Sequence, residues 1–192
     1  KGPKGVYKIK AKAVVNAAGG FGANNELVAS FIPKLKGFAT TNHPGATGDG
    51  LLLSEEAGAG FVDIKQIQTH PTVVESNGVM ITEAVRGNGA ILVNTEGKRF
   101  YDELSTRDAV SAAILKQPTA HAFMFFDEDV RKSLKAIEGY IKQPGMVIQG
   151  KTLDEVAANM GVPAANLKAT MAQYALDQAA GKDSCCGRTK KE

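Results

Sequence analysis

The segment "AVVNAAGGFGANNE", residues 13–26, is the stretch that most strongly predicts a fold. Apolar and polar residues alternate ahead of it, and the pattern becomes continuously apolar at residues 13–16, which is typical of a strand buried in a sheet. Glycines follow at once, and glycine after a buried strand lets a backbone or a ligand approach closely. Asn24 or Asn25 then fits the N-cap of a helix. Strand, glycine-rich turn and helix in this order predict part of an α/β domain.

Length and composition set the limits of the interpretation. The 192 residues suffice for one ordinary domain, or for one domain and a piece of another. With 43% hydrophobic and 22% charged residues the composition is that of a globular protein, and the net charge of +3 is spread along the chain. This charge gives no case for nucleic acid, and no apolar run reaches the length of a membrane span. The start lacks Met and a signal peptide, so we expect a piece of a longer protein.

Two helices are predicted after the glycine-rich turn. Residues 24–35, "NNELVASFIPKL", predict a short helix with Pro33 near its end. A loop rich in Gly, Asn and Asp follows. Residues 51–60, "LLLSEEAGAG", are then typical of a helix closed by Gly58 or Gly60.

From about residue 65 the pattern changes to short strands mixed with helices. The turn signal at residues 95–97, flanked by apolar runs, predicts a hairpin. "STRDAVSAAILKQ", residues 105–117, predicts a helix capped by Ser105 or Thr106. Further predicted elements are a buried strand at 122–126 and capped helices at 152–161 and 163–181.

The change of pattern predicts a division into regions. Residues 1–65 are typical of the end of an α/β nucleotide-type domain, and residues 66–183 of a separate α+β unit. Residues 184–192 form a divergent tail. A strand at 13–16 without sheet neighbours would present an unpaired edge, so we expect self-association of the first region.

The two cysteines, Cys185 and Cys186, are adjacent in the tail. Neighbouring cysteines rarely bridge each other, because the bond requires a strained peptide geometry. The sequence has no C-x-x-C, no haem attachment motif and no zinc-ligand spacing. We therefore expect no chemistry from the pair, and no metal site.

"MITEAVRGNG", residues 80–89, places charges on an apolar segment just before a turn. Each polar candidate has an ordinary interpretation by itself: a surface loop residue, a surface ion pair or a helix start. The residues alone therefore leave a functional site and a solvated surface both open. The candidates are Asp49, His70, Thr82, Glu83, Arg86 and Arg107.

Taken together, five segments resemble one family. "QTHPT", "MITEAVRGNGAILVNTEGKRF" and "STRDAVSAAI", in this order, closely resemble the flavoprotein of the fumarate reductase and succinate dehydrogenase superfamily, above all its soluble flavocytochrome c-type fumarate reductases. "AVVNAAGGFGANNE" and "TNHPGATGDG" resemble the FAD-domain segments of that family. The resemblance implies an α+β clamp (capping) domain over residues 66–183, preceded by a partial α/β FAD-binding domain over residues 1–65.

The resemblance also implies roles for single residues. His70, Thr82 and Glu83 would hold one carboxylate of a fumarate- or succinate-type dicarboxylate. Arg107 would act as the general acid, and Arg86 would join Glu83 in a proton relay to it. The cofactor would be FAD, beside Ala17, Ala18, Gly19, Gly20 and Asp49.

Elementary chemistry is consistent with these roles. An alkene accepts a hydride only if the charge that builds up on its carboxylate is stabilised, which favours donors fixed around that carboxylate. Arginine is an unusual acid, since its free pKa exceeds 12. It can serve if it is desolvated, surrounded by positive charge and re-protonated through a relay.

The sequence also departs from the family. "AAGGFG" is not the G-x-G-x-x-G fingerprint, and the second His and Arg that the family uses for the other carboxylate have no counterpart here. The tail "SCCGRTKKE" differs where an Asp-Phe pair is usual. We therefore expect this chain alone to be inactive and to bind FAD weakly.

Two alternatives stay open at this point. One is a related FAD-dependent enoate, urocanate or ketosteroid oxidoreductase, although His70 with Thr82 and Glu83 favours a dicarboxylate. The other is an inert, isolated clamp-like domain. The resemblance further implies anaerobic respiration in the bacterial periplasm, an electron-donor protein or domain, and haem on another domain.

Overall fold

The computed structural model describes residues 5–74 and 76–189. Within them the chain divides into two compact units between Ile67 and Gln68. We describe each unit by itself. No helix within the described ranges is long and apolar enough to cross a membrane.

The first unit contains two helices and a 3-10 turn, and no strand in its described part. The elements are α1 (Asn25–Phe31), the 3-10 turn (Pro33–Leu35) and α2 (Asp49–Glu56). Asn24 caps α1 as predicted, because its side-chain oxygen accepts the backbone N–H of Leu27 at 3.0 Å. α2 ends just ahead of Gly58, which adopts a φ of 85°. Both predicted helices of this unit are confirmed.

The buried strand predicted at residues 13–16 is wrong. Val14 and Val15 are 88% and 89% exposed, and the segment has no ladder partner within the described residues. A strand needs a neighbouring strand for its backbone groups, and an apolar run does not supply one. Asn16 instead holds the segment to α2, where its amide donates to the Gly50 carbonyl at 2.7 Å and to Ser54 Oγ at 2.8 Å.

The second unit is α+β. Its elements are α3 (Ala84–Gly87), β1 (Ile91–Val93), α4 (Arg107–Leu115), β2 (Phe123–Phe125), α5 (Glu128–Ser133), α6 (Ala136–Ile141), α7 (Leu153–Met160) and α8 (Ala164–Ala180). β1 and β2 pair antiparallel, with Leu92 opposite Met124. Helices α4, α7 and α8 lie where the sequence predicts them, and Thr152 caps α7. Thr106 stands at the N-cap position of α4 and Pro163 at that of α8, but neither makes a side-chain cap bond.

The short strand β1 lies at the centre of this unit, with both faces covered. Ile91 and Val93 pack with Leu167 of α8, while Leu92 packs on the other face with Val110 of α4. Alternate strand residues point to opposite faces, so a strand covered on both sides must be apolar throughout. This burial anchors the chain immediately after α3.

Two expectations for the second unit need correction, and one element was not predicted. The turn at residues 95–97 forms, with the Asn94 N–H donating to the Lys98 carbonyl and a single antiparallel bridge between Val93 and Arg99, but the ladder partner of β1 is β2. β2 is half-buried rather than buried. The helix α3 was not predicted, since four residues are too few to show a helical period.

The tail differs from expectation as well. The sulfurs of Cys185 and Cys186 are joined in a disulfide, against the sequence-based expectation. The chain turns there around the carboxylate of Asp183, which accepts the backbone N–H groups of both cysteines and of Arg188. Residues 184–189 therefore belong to the folded second unit, while residues 190–192 lie outside the described part.

Candidate functional site

The second unit brings together three of the predicted site residues. Glu83, directly before α3, accepts a hydrogen bond from Nη2 of Arg107, the first residue of α4. Glu83 Oε2 lies 3.4 Å from Nε2 of His70, and Arg107 Nη1 donates to Gln68 Oε1 at 2.8 Å. A carboxylate, an imidazole and a guanidinium thus share one site, with Gln68 as a fourth member.

The tautomer of His70 follows from its neighbours. The backbone N–H of Thr72 donates to Nδ1 at 3.3 Å, so Nδ1 is unprotonated and Nε2 carries the hydrogen that faces Glu83. Burial, and then the positive charges of Arg107 and Arg86, lower the pKa of His70. A neutral imidazole that donates from Nε2 is therefore the form expected near neutral pH.

The ion pair of Glu83 and Arg107 is accessible. Their side chains are 40% and 43% exposed, so solvent screens the attraction between them. Exposed pairs of this kind stabilise a fold by about 1 kcal/mol or less. A charged ligand can therefore take over one partner at small cost, which a deeply buried pair would not permit.

Thr82 is held through its backbone. Its N–H donates to the hydroxyl of Tyr140 at 3.1 Å, and its own hydroxyl accepts the N–H of Ala84 at 3.4 Å. Tyr140 belongs to α6 and lies 58 positions further along the chain. Neither Tyr140 nor Gln68 was identified from the sequence, since no local motif marks a contact of this kind.

Arg86 is not brought to Glu83. Its side chain is buried, at 4% exposure, and Nη1 donates to the backbone carbonyl of Glu103 at 2.6 Å. Nε has no hydrogen-bond partner among the described residues. Burial lowers the pKa of Arg86, and the negative charge of Glu103 opposes this only in part. Arg86 is thus a desolvated cation without a direct carboxylate partner in the described part of the chain.

Glu103 forms the centre of a buried ionic cluster that sequence analysis missed. It is fully buried, and Arg99 donates to both carboxylate oxygens, from Nε at 2.7 Å and from Nη2 at 2.8 Å. The backbone N–H of Leu92 donates to Oε1 at 3.1 Å, and Nη1 of Arg188 to Oε2 at 3.3 Å. All of these donors come from the second unit, and the cluster ties β1 to the tail.

Arg99 links this cluster to Asp183. Its two terminal nitrogens donate to the two oxygens of Asp183 at 3.1 and 2.8 Å, and its guanidinium lies 4.9 Å from the ring centre of Tyr174. Burial acts to lower the pKa of Arg99, but its bonds to Glu103 and Asp183 raise it above the usual range. Arg99 is therefore a permanent cation with a structural role.

The residues predicted to lie beside FAD belong to the first unit. The Gly48 N–H donates to the Gly20 carbonyl at 3.1 Å, which holds the glycine segment at the start of α2. A Cβ built on Gly50 would lie only 2.8 Å from the Cβ of Ala18, whereas one on Gly19 or Gly20 would meet nothing within 4 Å. The backbone from Ala18 to Gly20 is thus packed on one side and open on the other, which fits the close approach of a flat cofactor.

Ala17 directly precedes that open backbone, and Asp49 follows Gly48, whose N–H donates to the Gly20 carbonyl. Asp49 is the first residue of α2, and its carboxylate accepts a hydrogen bond from the Thr47 hydroxyl at 2.9 Å. Ala17 is exposed. These positions could hold a cofactor. None of the five predicted contact residues carries a positive charge.

Comparison with known proteins identifies the class of protein as a flavoprotein. Residues 2–191 match the family model described as FAD binding domain, and the chain belongs to that family. It is 50% identical over 181 residues to "Fumarate reductase (cytochrome)" of Shewanella frigidimarina, a match that covers 94% of this chain and 32% of that protein. It is 46% identical over 171 residues to "NADH:fumarate oxidoreductase" of Klebsiella pneumoniae, covering 89% of this chain and 18% of that protein.

A solved structure gives the same family. The open conformation of a flavocytochrome c3 fumarate reductase superposes with a TM-score of 0.75 at 40% identity, over 90% of this chain and 30% of that one. The chain therefore spans about a third of the length of the Shewanella protein that it resembles.

Proposed function

We propose that the protein carrying this chain is an FAD-dependent fumarate reductase, which converts fumarate into succinate. The observation that carries the proposal is the cluster of His70, Glu83 and Arg107, whose Glu83–Arg107 ion pair is accessible, in a chain that is 50% identical to a fumarate reductase. A cation and a neutral donor at one exposed site suit an anionic substrate.

His70 and Thr82 bind one substrate carboxylate in this proposal. His70 has one ring N–H, at Nε2, which faces Glu83 in the structure and turns to the substrate carboxylate when substrate binds. The backbone bond from Thr82 to Tyr140 limits the positions that the Thr82 hydroxyl can reach. Fixed donors stabilise the charge that develops on the carboxylate during reduction.

Arg107 supplies the proton. The chemistry that reduced FAD supplies when bound is a hydride for one alkene carbon, and Arg107 donates H⁺ to the other carbon. The two additions convert the CH=CH of fumarate into the CH2–CH2 of succinate and leave a neutral guanidine at Arg107. Glu83, once it has received a proton from Arg86, passes that proton to Arg107 through the contact that joins the two side chains, and Arg86 takes up a proton from solvent to complete the cycle.

Arg86 donates the proton that Glu83 passes on in this relay. Arg86 donates to Glu103 in the structure, so proton transfer to Glu83 requires its side chain to rotate or a water molecule to bridge. Burial lowers the pKa of Arg86, which supports its use as a donor. We further propose that the first unit is part of the FAD-binding domain, with Ala17–Gly20 and Asp49 beside the cofactor, and that the second unit is the clamp. The electron donor, a haem domain and a periplasmic location stay predictions.

The test is a substrate comparison on the FAD-loaded protein that contains this chain. Oxidation of reduced methyl viologen is followed with fumarate, urocanate, an acrylate-type enoate and a 3-ketosteroid in parallel, and products are identified. We expect succinate from fumarate, with a kcat/KM at least about 100-fold above the other substrates, because buried or fixed polar groups reject ligands that leave them unpaired. A preference for another substrate contradicts the proposal. If the FAD-loaded protein turns over none of the four substrates, the result supports the alternative of an inert clamp-like domain.

A further inference from the structure

We propose that Arg188 is a positioning residue that holds the end of α3 and keeps Glu103 from capturing Arg86. The proposal deepens the function proposed above, since its catalytic consequence rests on Arg86 acting in the proton relay. It is carried by the contacts of the Arg188 guanidinium, on a tail that the sequence analysis treated as divergent.

Arg188 binds two backbone carbonyls around the end of α3. Nη2 donates to the carbonyl of Arg86 at 3.0 Å, and Nη1 donates to the carbonyl of Ala90 at 2.9 Å. Its side chain is only 9% exposed. A helix as short as α3 has little stability of its own, because nucleation is costly and few bonds follow it. Contacts at its end therefore determine where the helix lies.

α3 connects Arg188 to the site. Glu83 precedes the helix and Arg86 lies within it, so a shift of this short element moves both side chains. Misplacement of a catalytic group by about 1 Å is enough to reduce a rate about 100-fold. Arg188 thus acts on Glu83 and Arg86 without touching the substrate.

The charges of the cluster give Arg188 a second effect. Within the described residues, three guanidiniums (Arg86, Arg99 and Arg188) face two carboxylates (Glu103 and Asp183). Arg99 and Arg188 occupy the Glu103 oxygens, so Arg86 is left with a main-chain carbonyl alone. Without Arg188, one oxygen of Glu103 loses a donor and can attract Arg86, whose Nε is unpartnered in the described part.

Asp183 sets the path of the tail that carries Arg188. It accepts the Arg188 N–H at 2.9 Å, and it pairs with Arg99. Arg188 is therefore presented to α3 from a turn that the cluster itself organises. This arrangement distinguishes Arg188 from an arginine on a solvated surface.

The test compares Arg188→Gln and Arg188→Lys with Arg131→Gln in the FAD-loaded protein. Arg131 is a matched control, because it pairs with surface carboxylates of Glu128 and Glu138 in the same unit. In Arg188→Gln we expect kcat for fumarate to fall about 10- to 100-fold with KM little changed. The solvent deuterium isotope effect on kcat should rise, since proton delivery becomes slower. Lysine keeps the charge but offers one nitrogen in place of the two that bind the Arg86 and Ala90 carbonyls, so it should recover only part of the loss.

Hydrogen exchange gives a readout that needs no substrate. In Arg188→Gln the peptide covering residues 84–92 should exchange faster, while α8 and the FAD content stay as in the wild type. Unchanged kcat and exchange overturn the proposal. The proposal is also overturned if exchange becomes faster throughout the second unit in Arg188→Gln and Arg188→Lys does not reverse this. Arg188 would then only stabilise the fold. Failure of the wild type to reduce fumarate overturns the proposed function instead, and the exchange result still decides whether Arg188 holds α3.

Discussion

Arg107 and Glu83 form an ion pair between the first residue of α4 and the residue before α3, although 24 positions separate them in the chain. The pair closes the candidate site on one side, with His70 on the other oxygen of Glu83. It is also exposed, so it can exchange partners with an anionic ligand. Its geometry motivates the first prediction.

Replacement of Arg107 by alanine in the FAD-loaded protein should abolish fumarate reduction while leaving FAD bound. A general acid contributes about 10²- to 10⁴-fold to a rate, and alanine cannot donate a proton. Turnover and flavin absorbance are measured together, with Arg131→Ala as the surface control. Turnover within a few-fold of wild type in Arg107→Ala would remove Arg107 from the role of acid.

The stability of the second unit should fall as the pH drops below 6.5, the ordinary pKa of histidine, because folding lowers the pKa of His70. The unfolded chain then binds a proton that the folded site resists, so acid favours unfolding until the folded pKa is passed. The groups that face His70 are Glu83, Arg107 and Arg86. Urea unfolding at about pH 7.5 and about pH 5.5 measures the loss, which should be smaller in His70→Gln. Equal pH dependence in both proteins contradicts the assignment to His70.

Asp183 should stabilise the fold above pH 4 and lose this effect in strong acid. Burial acts to raise the pKa of its carboxyl, but hydrogen bonds from Arg99 and from backbone N–H groups outweigh burial and lower the pKa to about 2. Because the folded pKa lies below the ordinary value of 3.8, the stabilisation is present above 3.8 and disappears as the pH falls through about 2.

Asp183→Asn measures this contribution. Since it leaves Arg99 with one carboxylate fewer in a buried cluster, we expect a loss of about 3 kcal/mol in the free energy of unfolding near neutral pH. The difference from wild type should shrink toward about pH 2 in chemical denaturation. A difference that stays constant with pH would mean that the charge of Asp183 is not what stabilises the tail.

Gly97→Ala should destabilise the second unit, and Gly139→Ala should not. Gly97 has a φ of 75°, and a Cβ there would lie 3.0 Å from the backbone nitrogen of Leu167. We expect a loss of about 1–2 kcal/mol from the left-handed conformation alone. Gly139 lies within α6, where a Cβ meets nothing within 4 Å, so alanine should stabilise by about 0.5–1 kcal/mol. Thermal unfolding of both variants compares the two sites.

Backbone amides of residues 91–93 should be protected from hydrogen exchange, and those of residues 13–16 should not. β1 is buried on both faces, whereas Val14 and Val15 are exposed and the segment lacks ladder partners among the described residues. Self-association would protect the exposed segment, so exchange is measured at several protein concentrations. Full protection of residues 13–16 in a dilute monomer is the result that contradicts this prediction.

Local signals in the sequence determined the helix ends. Asn24 and Thr152 cap their helices through bonds to amides three residues away, and Gly161 ends α7 with a φ of 69°. Such contacts lie within a few residues, so the sequence contains both partners and the prediction succeeds. The resemblance to one family likewise rests on short segments that can be read in order, and it identified His70, Glu83 and Arg107 as candidates.

Pairing over long distances was decided by the tertiary structure. Apolar runs at residues 13–16 and 91–93 look alike in sequence, yet only the second finds a strand and helices to cover it. The same holds for charges: Arg86 is three residues from Glu83 but donates to Glu103, and Arg188 reaches Arg86 across 102 positions. Burial and ion pairing depend on which groups meet after folding, because desolvation is compensated only by partners actually in contact.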